Sequence, residues 1–238
     1  MTVRDAYTAT GAAWRDGPEL VYQRLADALV ATSPVDLAGR LVADVGAGTG
    51  AASRAIVRAG GRPVALDLAA GMLRVDQSSR PPAAVADVRR LPLASGSCAA
   101  LVAAFSFNHV PDPDVALREA ARVVGPGGTV LASTYASDDT HRVKGAVDQA
   151  AAEAGWARDP WIDELRGHAI PLLATLEGAR SALASAGLGA VVRRVEVAYP
   201  DLHARALVAW RLGMAQVAPF VATLPAPARA QLEARALE

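Results

Sequence analysis

The chain has 238 residues, 52% of them hydrophobic, and its 24 Lys+Arg balance 24 Asp+Glu, which suits one domain or one domain with an inserted cap. A neutral chain without a basic block argues against nucleic acid as the main partner, and no apolar run is long enough to span a membrane. The single cysteine, Cys98, excludes an internal disulfide framework and a thiolate zinc site; the N-terminus lacks a signal-peptide layout, so a cytoplasmic location is expected.

Residues 18–31, PELVYQRLADALVA, carry Leu20, Val21, Leu25, Leu29 and Val30 at helical spacing, and Pro34 ends that helix. LVADV (41–45) reads as a first strand, followed by a helix over GAASRAIVRAGG with Gly60 and Gly61 at its end. PVALD (63–67) is a second strand, 69–76 a short helix and AAVAD (83–87) a third strand. CAALVAAF (98–105) is a fourth strand. DPDVALREAARVV opens a helix with Asp112 as N-cap and Pro113 at the first position, and TVLASTY (129–135) is a fifth strand. Strands alternating with helices predict a mostly parallel sheet with helices on both faces, and such sheets bind ligands at their carboxyl ends. From 136 to 174 the rhythm breaks into an expected helical cap; 175–187 resumes a helix, 190–199 a strand, and the tail from Asp201 a helix interrupted at Pro219, Pro225 and Pro227. The whole reads as one domain: a core at about 35–135, a cap or substrate region at about 136–174, and a helix–strand–helix over 175–238.

The chemistry is concentrated just after the strands. Asp44-x-Gly46-x-Gly48-x-Gly50 turns from the first strand into a helix. Glycines there permit positive φ and close approach of a ligand, and such a turn aims N–H groups outward. Gly46, Gly48 and Ala51 also satisfy G-x-G-x-x-G/A, so this stretch alone leaves a nicotinamide dinucleotide open beside S-adenosylmethionine. The second strand ends in Asp67, within ALDLAAGML; the third ends in Asp87, followed by LPL; the fourth runs into SFNHVPD; ARVVGPGGTVLAS follows.

Taken in order, these five segments over about residues 40–135 resemble the class I S-adenosylmethionine-dependent methyltransferases, in particular the small-molecule group of ubiquinone and menaquinone biosynthesis. The resemblance implies a Rossmann-like, doubly wound α/β fold with S-adenosyl-L-methionine as cofactor. It implies that Asp67 grips the ribose hydroxyls and Asp87 the adenine amino group. Gly46, Ala47, Gly48 and Gly50 would face the methionine part, with Asp44 orienting the loop and the ammonium region. Leu68, Met72, Leu93 and Val88 would line the adenine, although core packing accounts equally for Met72, and Phe105 would border the cofactor. Tyr7 and Trp14 lie in an N-terminal segment that folds over the cofactor in similar enzymes. One feature departs from the family, whose sheet normally ends with an antiparallel seventh strand: 190–199 serves as strand six, and 201–238 offers no strand.

Four histidines are available for general-base work. His109, directly after the fourth strand, is the first candidate for a catalytic or orienting role, with pocket wall as the alternative; His141 is the second, with a surface loop as the alternative. His203, at a helix start, reads as structural, and His168 belongs to the cap. Trp156 and Trp161 fit either an aromatic acceptor or the cap's own core. No metal site is expected, since the strand-end acids are separated by whole strand–helix units. The expected partner is a small hydrophobic acceptor, with no nucleic acid and no membrane; a homodimer is an open assembly. The leading reading is O- or C-methylation of a natural-product or quinone-like metabolite. A non-methylating S-adenosylmethionine-binding relative and an NAD(P)-dependent oxidoreductase are the alternatives, and Lys144 stands outside a Tyr-x-x-x-Lys spacing from Tyr135.

Overall fold

Short apolar runs separated by amphipathic helices set the architecture, and the computed structural model describes residues 1–238. In chain order the elements are α1 (Val3–Asp16), α2 (Pro18–Val30), β1 (Leu41–Val45), α3 (Ala51–Arg58), β2 (Arg62–Asp67), α4 (Ala70–Arg74), β3 (Ala83–Val85), β4 (Ala100–Ala104), α5 (Pro113–Val124) and β5 (Thr129–Ser133). Then follow α6 (Arg142–Glu153), α7 (Pro160–Gly167), α8 (Ala169–Leu173), α9 (Leu176–Ser185), α10 (Ala204–Leu212), α11 (Ala218–Thr223) and α12 (Ala226–Ala236).

The sheet is entirely parallel in the order β3-β2-β1-β4-β5, so the strand order reverses between β1 and β4. Alternation along each strand splits the core in two. Ala43, Val45, Leu66, Leu101 and Ala103 pack with Leu117, Ala120 and Val123 of α5 on one face. Val42, Ala100, Val102 and Leu131 pack with Ala26, Val30 and Ile56 of α2 and α3 on the other. No helix is long and apolar enough to cross a membrane.

The N-terminal segment is a full helix, and glycines seat it against its neighbours. A Cβ on Gly71 of α4 would fall 1.8 Å from the Thr8 carbonyl oxygen, and one on Gly11 would fall 2.7 Å from the Gly71 oxygen. After α10, a Cβ on Gly213 would lie 2.6 Å from the Ala13 oxygen. Helix α1 is thereby held at backbone distance on two sides, directly above the carboxyl ends of the strands.

Three expectations are corrected. Residues 190–199 form no strand: the valine alternation is present, but Val191 is 94% exposed and no ladder reaches β5. Side chains hold the segment instead, with Arg180 donating to the Val192 carbonyl, Tyr199 to the Val21 carbonyl, and Arg194 pairing with Asp138. The region 175–238 is therefore helical apart from this extended stretch, and β5 is a sheet edge. The third strand stops at Val85, and Asp87 sits in an isolated bridge with Arg90. Asp112 occupies the N-cap position of α5 without a capping bond, because its carboxylate receives Arg89. The cap is helical as expected, and Pro219 and Pro227 start α11 and α12, where proline costs no hydrogen bond.

Gly71→Ala should destabilise the protein by about 1–3 kcal/mol in chemical denaturation, because α1 must move off α4. Gly145→Ala is the contrast: it lies within α6 with nothing within 4 Å of the new methyl, and should stabilise by about 0.5–1 kcal/mol.

Candidate functional site

At the switch point, the loop after β1 passes through three left-handed glycines: Gly46, Gly48 and Gly50 have φ of +65°, +53° and +100°. Gly46 also packs on Ser106 beyond β4, which a Cβ would meet at 2.3 Å. The Gly46 N–H has no acceptor within the chain and Gly46 is exposed, so the loop presents a free donor at the crevice between β1 and β4.

Two carboxylates lie beneath it. Asp44 is 1% exposed; its Oδ2 accepts from Ser53 Oγ at 2.6 Å, while Oδ1 has no partner. Burial pushes Asp44 up to about 6, the Ser53 hydroxyl pulls it back, and Asp67 adds to the rise. Asp67, at the end of β2, accepts from the Gly48 N–H at 2.8 Å and from the Ala69 N–H at 2.7 Å. Burial raises Asp67 as well, against these N–H donors and Arg80. Asp67 thus braces the glycine loop, and its oxygens retain capacity for further donors. Leu68 beside it is 38% exposed. Met72 is buried with Trp14 and Tyr22 and underpins the loop, its Cε 3.4 Å from where a Gly48 Cβ would stand.

Around β3, Asp87 is held by the Arg89 backbone and guanidinium, which bridges on to Asp112. Those bonds keep its carboxyl below the usual range. The Val88 N–H is without an acceptor in the chain. Leu93 and Val88 pack against the sheet core.

On the β4–β5 side an aromatic shell closes the site. Phe105 has φ +56°, a conformation bulky residues rarely adopt, and its ring lies 4.7 Å from Tyr135 and 5.3 Å from Tyr22. Trp14 stacks at 4.9 Å on Tyr22 and 5.7 Å from Tyr7, bringing α1 into the shell. Tyr7 Oη meets His109 Nε2 at 3.4 Å, and His109 Nδ1 is shielded and unpartnered. Burial lowers His109 to about 4, so its imidazole is neutral near pH 7. The sole lysine, Lys144, lies 4.4 Å over the Tyr135 ring and pairs with Asp139 at 2.7 Å.

The structure thus brings together Asp44, Gly46, Ala47, Gly48, Gly50 and Asp67 at the loop, and Tyr7, Trp14, Phe105 and His109 at the shell. His141 is exposed, and its Nδ1 accepts from the Val143 N–H and caps α6, while its ring lies edge-on 6.0 Å from Trp210 at the rim of the aromatic cluster. His203 caps α10 in the same way, as expected of a structural residue. Trp161 is buried with Ile162 and Leu165, and the Trp156 N–H donates to the Gln216 carbonyl, so both serve the cap's packing. Sequence reading missed Arg80, Glu19 and Arg54. Arg80 donates to the Gly48 oxygen, while Glu19 accepts from Thr49 and pairs with Arg54. These residues carry no motif and were findable only as charges near the glycine loop in space.

Residues 43–132 match the family model described as methyltransferase domain. A demethylmenaquinone methyltransferase of Renibacterium salmoninarum is 38% identical over 99 residues, covering 41% of this chain and 42% of that one. One from Streptomyces avermitilis is 32% identical over 131 residues, covering 54% and 55%. The chain therefore spans about half the length of these relatives. A chain from a complex containing the Haloferax volcanii Trm112 methyltransferase activator superposes with a TM-score of 0.61 at 25% identity, over 86% of this chain and 84% of that chain. Phosphoethanolamine N-methyltransferase 2 of Haemonchus contortus, solved with S-adenosyl-L-methionine, shares the fold at a TM-score of 0.53 and 21% identity, over 76% of this chain and 40% of that one.

The parallel sheet and its glycine loop give a Rossmann-like fold, and residues 43–132 within it match a methyltransferase domain. Over about half its length the chain is similar to demethylmenaquinone methyltransferases. The residues present fit S-adenosylmethionine: a free Gly46 N–H, an orphaned Asp44 oxygen and an acidic residue ending β2 are complementary to a zwitterionic amino acid and a ribose diol.

In an NMR titration His109 should stay neutral from pH 7 down to pH 5 and take its proton near pH 4. Its folded pKa lies below the ordinary histidine value of about 6.5, so the unfolded chain binds the proton first. Stability should therefore fall as pH drops from about 6.5 toward 4, a slope that His109→Gln should flatten. A midpoint above 6 would place the ring in water.

Proposed function

We propose that the chain transfers the methyl group of S-adenosylmethionine to a small hydrophobic acceptor, by O- or C-methylation. The observation that carries this reading is the switch-point loop, whose Gly46 N–H is free and whose Gly48 is braced by Asp67, facing an aromatic shell across β4. Gly46, Ala47, Gly48 and Gly50 with Asp44 would hold the methionine end, Asp67 the ribose, and Leu68, Asp87 and Val88 the adenine. The cofactor supplies an activated methyl on a sulfonium, which becomes a neutral thioether when the acceptor takes the methyl. The acceptor loses a proton in exchange.

What the chain contributes is alignment and exclusion of water. Tyr7 and Trp14 cover the site from α1, and Phe105, Tyr22 and Tyr135 form an aromatic wall of tilted and edge-on rings suited to an apolar acceptor. His109 reaches the wall through Tyr7. Its low basicity suits orienting a donor better than removing a proton from a weakly acidic acceptor. The kinship with demethylmenaquinone methyltransferases favours a quinone-like acceptor, and the charge balance of the chain favours a small molecule over nucleic acid.

Calorimetric titration should show binding of S-adenosylhomocysteine and none of NAD⁺ or NADH; the opposite result would move the chain to the oxidoreductases. Asp67→Ala should weaken S-adenosylhomocysteine by about 1–3 kcal/mol, because a half-buried acceptor is lost and the loop brace with it. Unchanged affinity in a folded variant would remove Asp67 from the cofactor site.

A further inference from the structure

We propose that Arg80 is a positioning residue for the cofactor loop, fixing the Gly48 peptide from beneath and supplying the countercharge for the buried Asp44 and the half-buried Asp67. This rests on the cofactor reading above and adds a residue that no motif points to.

The geometry is specific. Arg80 leaves the loop ahead of β3 and reaches back under the glycine turn. One guanidinium nitrogen, Nη2, donates to the Gly48 oxygen at 2.7 Å; the other, Nη1, donates to the Met72 oxygen at 2.8 Å and the Val75 oxygen at 3.4 Å. The same side chain therefore satisfies the end of α4 and ties it to the loop after β1. Gly48 is held on both sides: the peptide before it through the Gly48 N–H to Asp67, and the peptide after it through the Gly48 oxygen to Arg80. Glycine is the residue whose peptide can most readily turn over. Two opposed hydrogen bonds, each to a charged group, fix its orientation where a cofactor would touch it.

The charges point the same way. Asp44 is buried and Asp67 half-buried, and Asp67 makes Asp44 harder to ionise. Around them stand Tyr7 from α1, Ser53 and Arg54 from α3, Glu19 from α2, Ser106 beyond β4, and Asp76 after α4. Arg54 is committed to Glu19, and Asp76 to Arg15. Arg80 makes no ion pair of its own, and both carboxylates act on it. It is the one cation in the group left to balance them. A guanidinium can do both tasks at once, because its fork keeps full charge while bonding two separate carbonyls.

The test compares Arg80→Met and Arg80→Lys with the parent chain by calorimetric titration of S-adenosylhomocysteine from pH 6 to pH 9, with amide hydrogen exchange over residues 44–52. Arg80→Met should bind about ten-fold or more weakly at pH 7, and part of that loss should disappear by pH 9 as the carboxylates ionise, leaving a pH-independent remainder from the lost Gly48 hydrogen bond. Its 44–52 amides should exchange faster. Arg80→Lys keeps the charge, so it should bind more weakly than the parent with the parent's pH profile. Parent-like affinity in Arg80→Met, or a loss of equal size at every pH, overturns the countercharge role. If Arg80→Met does not fold, an upward-shifted pH profile in Arg80→Lys overturns it. Parent chain that fails to bind S-adenosylhomocysteine removes the cofactor reading, and exchange then judges Arg80 alone: unchanged 44–52 amides in both variants reject it.

Discussion

The site depends on one electrostatic constraint: two carboxylates, one buried and one half-buried, at the carboxyl ends of adjacent parallel strands. Desolvation raises both Asp44 and Asp67, and Asp67 raises Asp44 further. The surroundings answer with oriented donors: the Ser53 hydroxyl, the N–H groups of Gly48 and Ala69, and Arg80 behind the loop. The glycine turn belongs to this arrangement as a donor scaffold. Its left-handed residues let the Gly48 N–H face inward to Asp67 while the Gly46 N–H faces out. An acid- and donor-lined crevice follows at the point where the strand order reverses, which is where open α/β sheets bind their ligands.

The covering of that crevice follows from backbone proximity. Helix α1 comes within carbonyl contact of α4 and of the turn after α10, because Gly11, Gly71 and Gly213 have no side chains to keep it away. This closeness delivers Tyr7 and Trp14 to the aromatic shell. The strained backbone of Phe105 serves the same end: it turns the ring from the path of β4 toward Tyr22 and Tyr135, and hands the chain on to Ser106 against Gly46. Loop, helix and shell are thus coupled through contacts too short to tolerate an added methyl.

Much of this was legible in the sequence for local reasons. LVADV, PVALD and CAALVAAF are apolar runs buried on both faces, and acids or glycines follow them where strands end, so the order of motifs alone placed Asp44, Gly46, Gly48 and Asp67 together. Arg80 was not legible, because its role depends on a long side chain crossing under a loop 32 residues away in sequence. Helix α1 was not assigned in the chain-order reading, since its moderate apolar pattern gives little away and its glycines look like helix breakers until their partners are seen. Residues 190–199 misled for the opposite reason. Their alternation is a strand pattern, but a strand is made by its neighbour, and here the Val192 and Ala198 carbonyls accept from arginine side chains instead of a ladder.

His109 shows how environment decides between roles that composition leaves open. A histidine after β4 reads as a base, because its ordinary pKa suits neutral pH. Enclosed beside Tyr7, with Nδ1 shielded and no carboxylate at hand, the ring is a weak base and a competent hydrogen-bond partner. In the methyl transfer we propose, where the methyl would already sit on a sulfonium, such a partner would suffice. The barrier lies in bringing the acceptor into line and keeping water out, and an acceptor acidic enough to ionise needs little help. In the proposed reaction the shell would favour apolar acceptors that carry their own acidity. The one cation on that wall, Lys144 above Tyr135, lies where it would favour the ionised form over the neutral one.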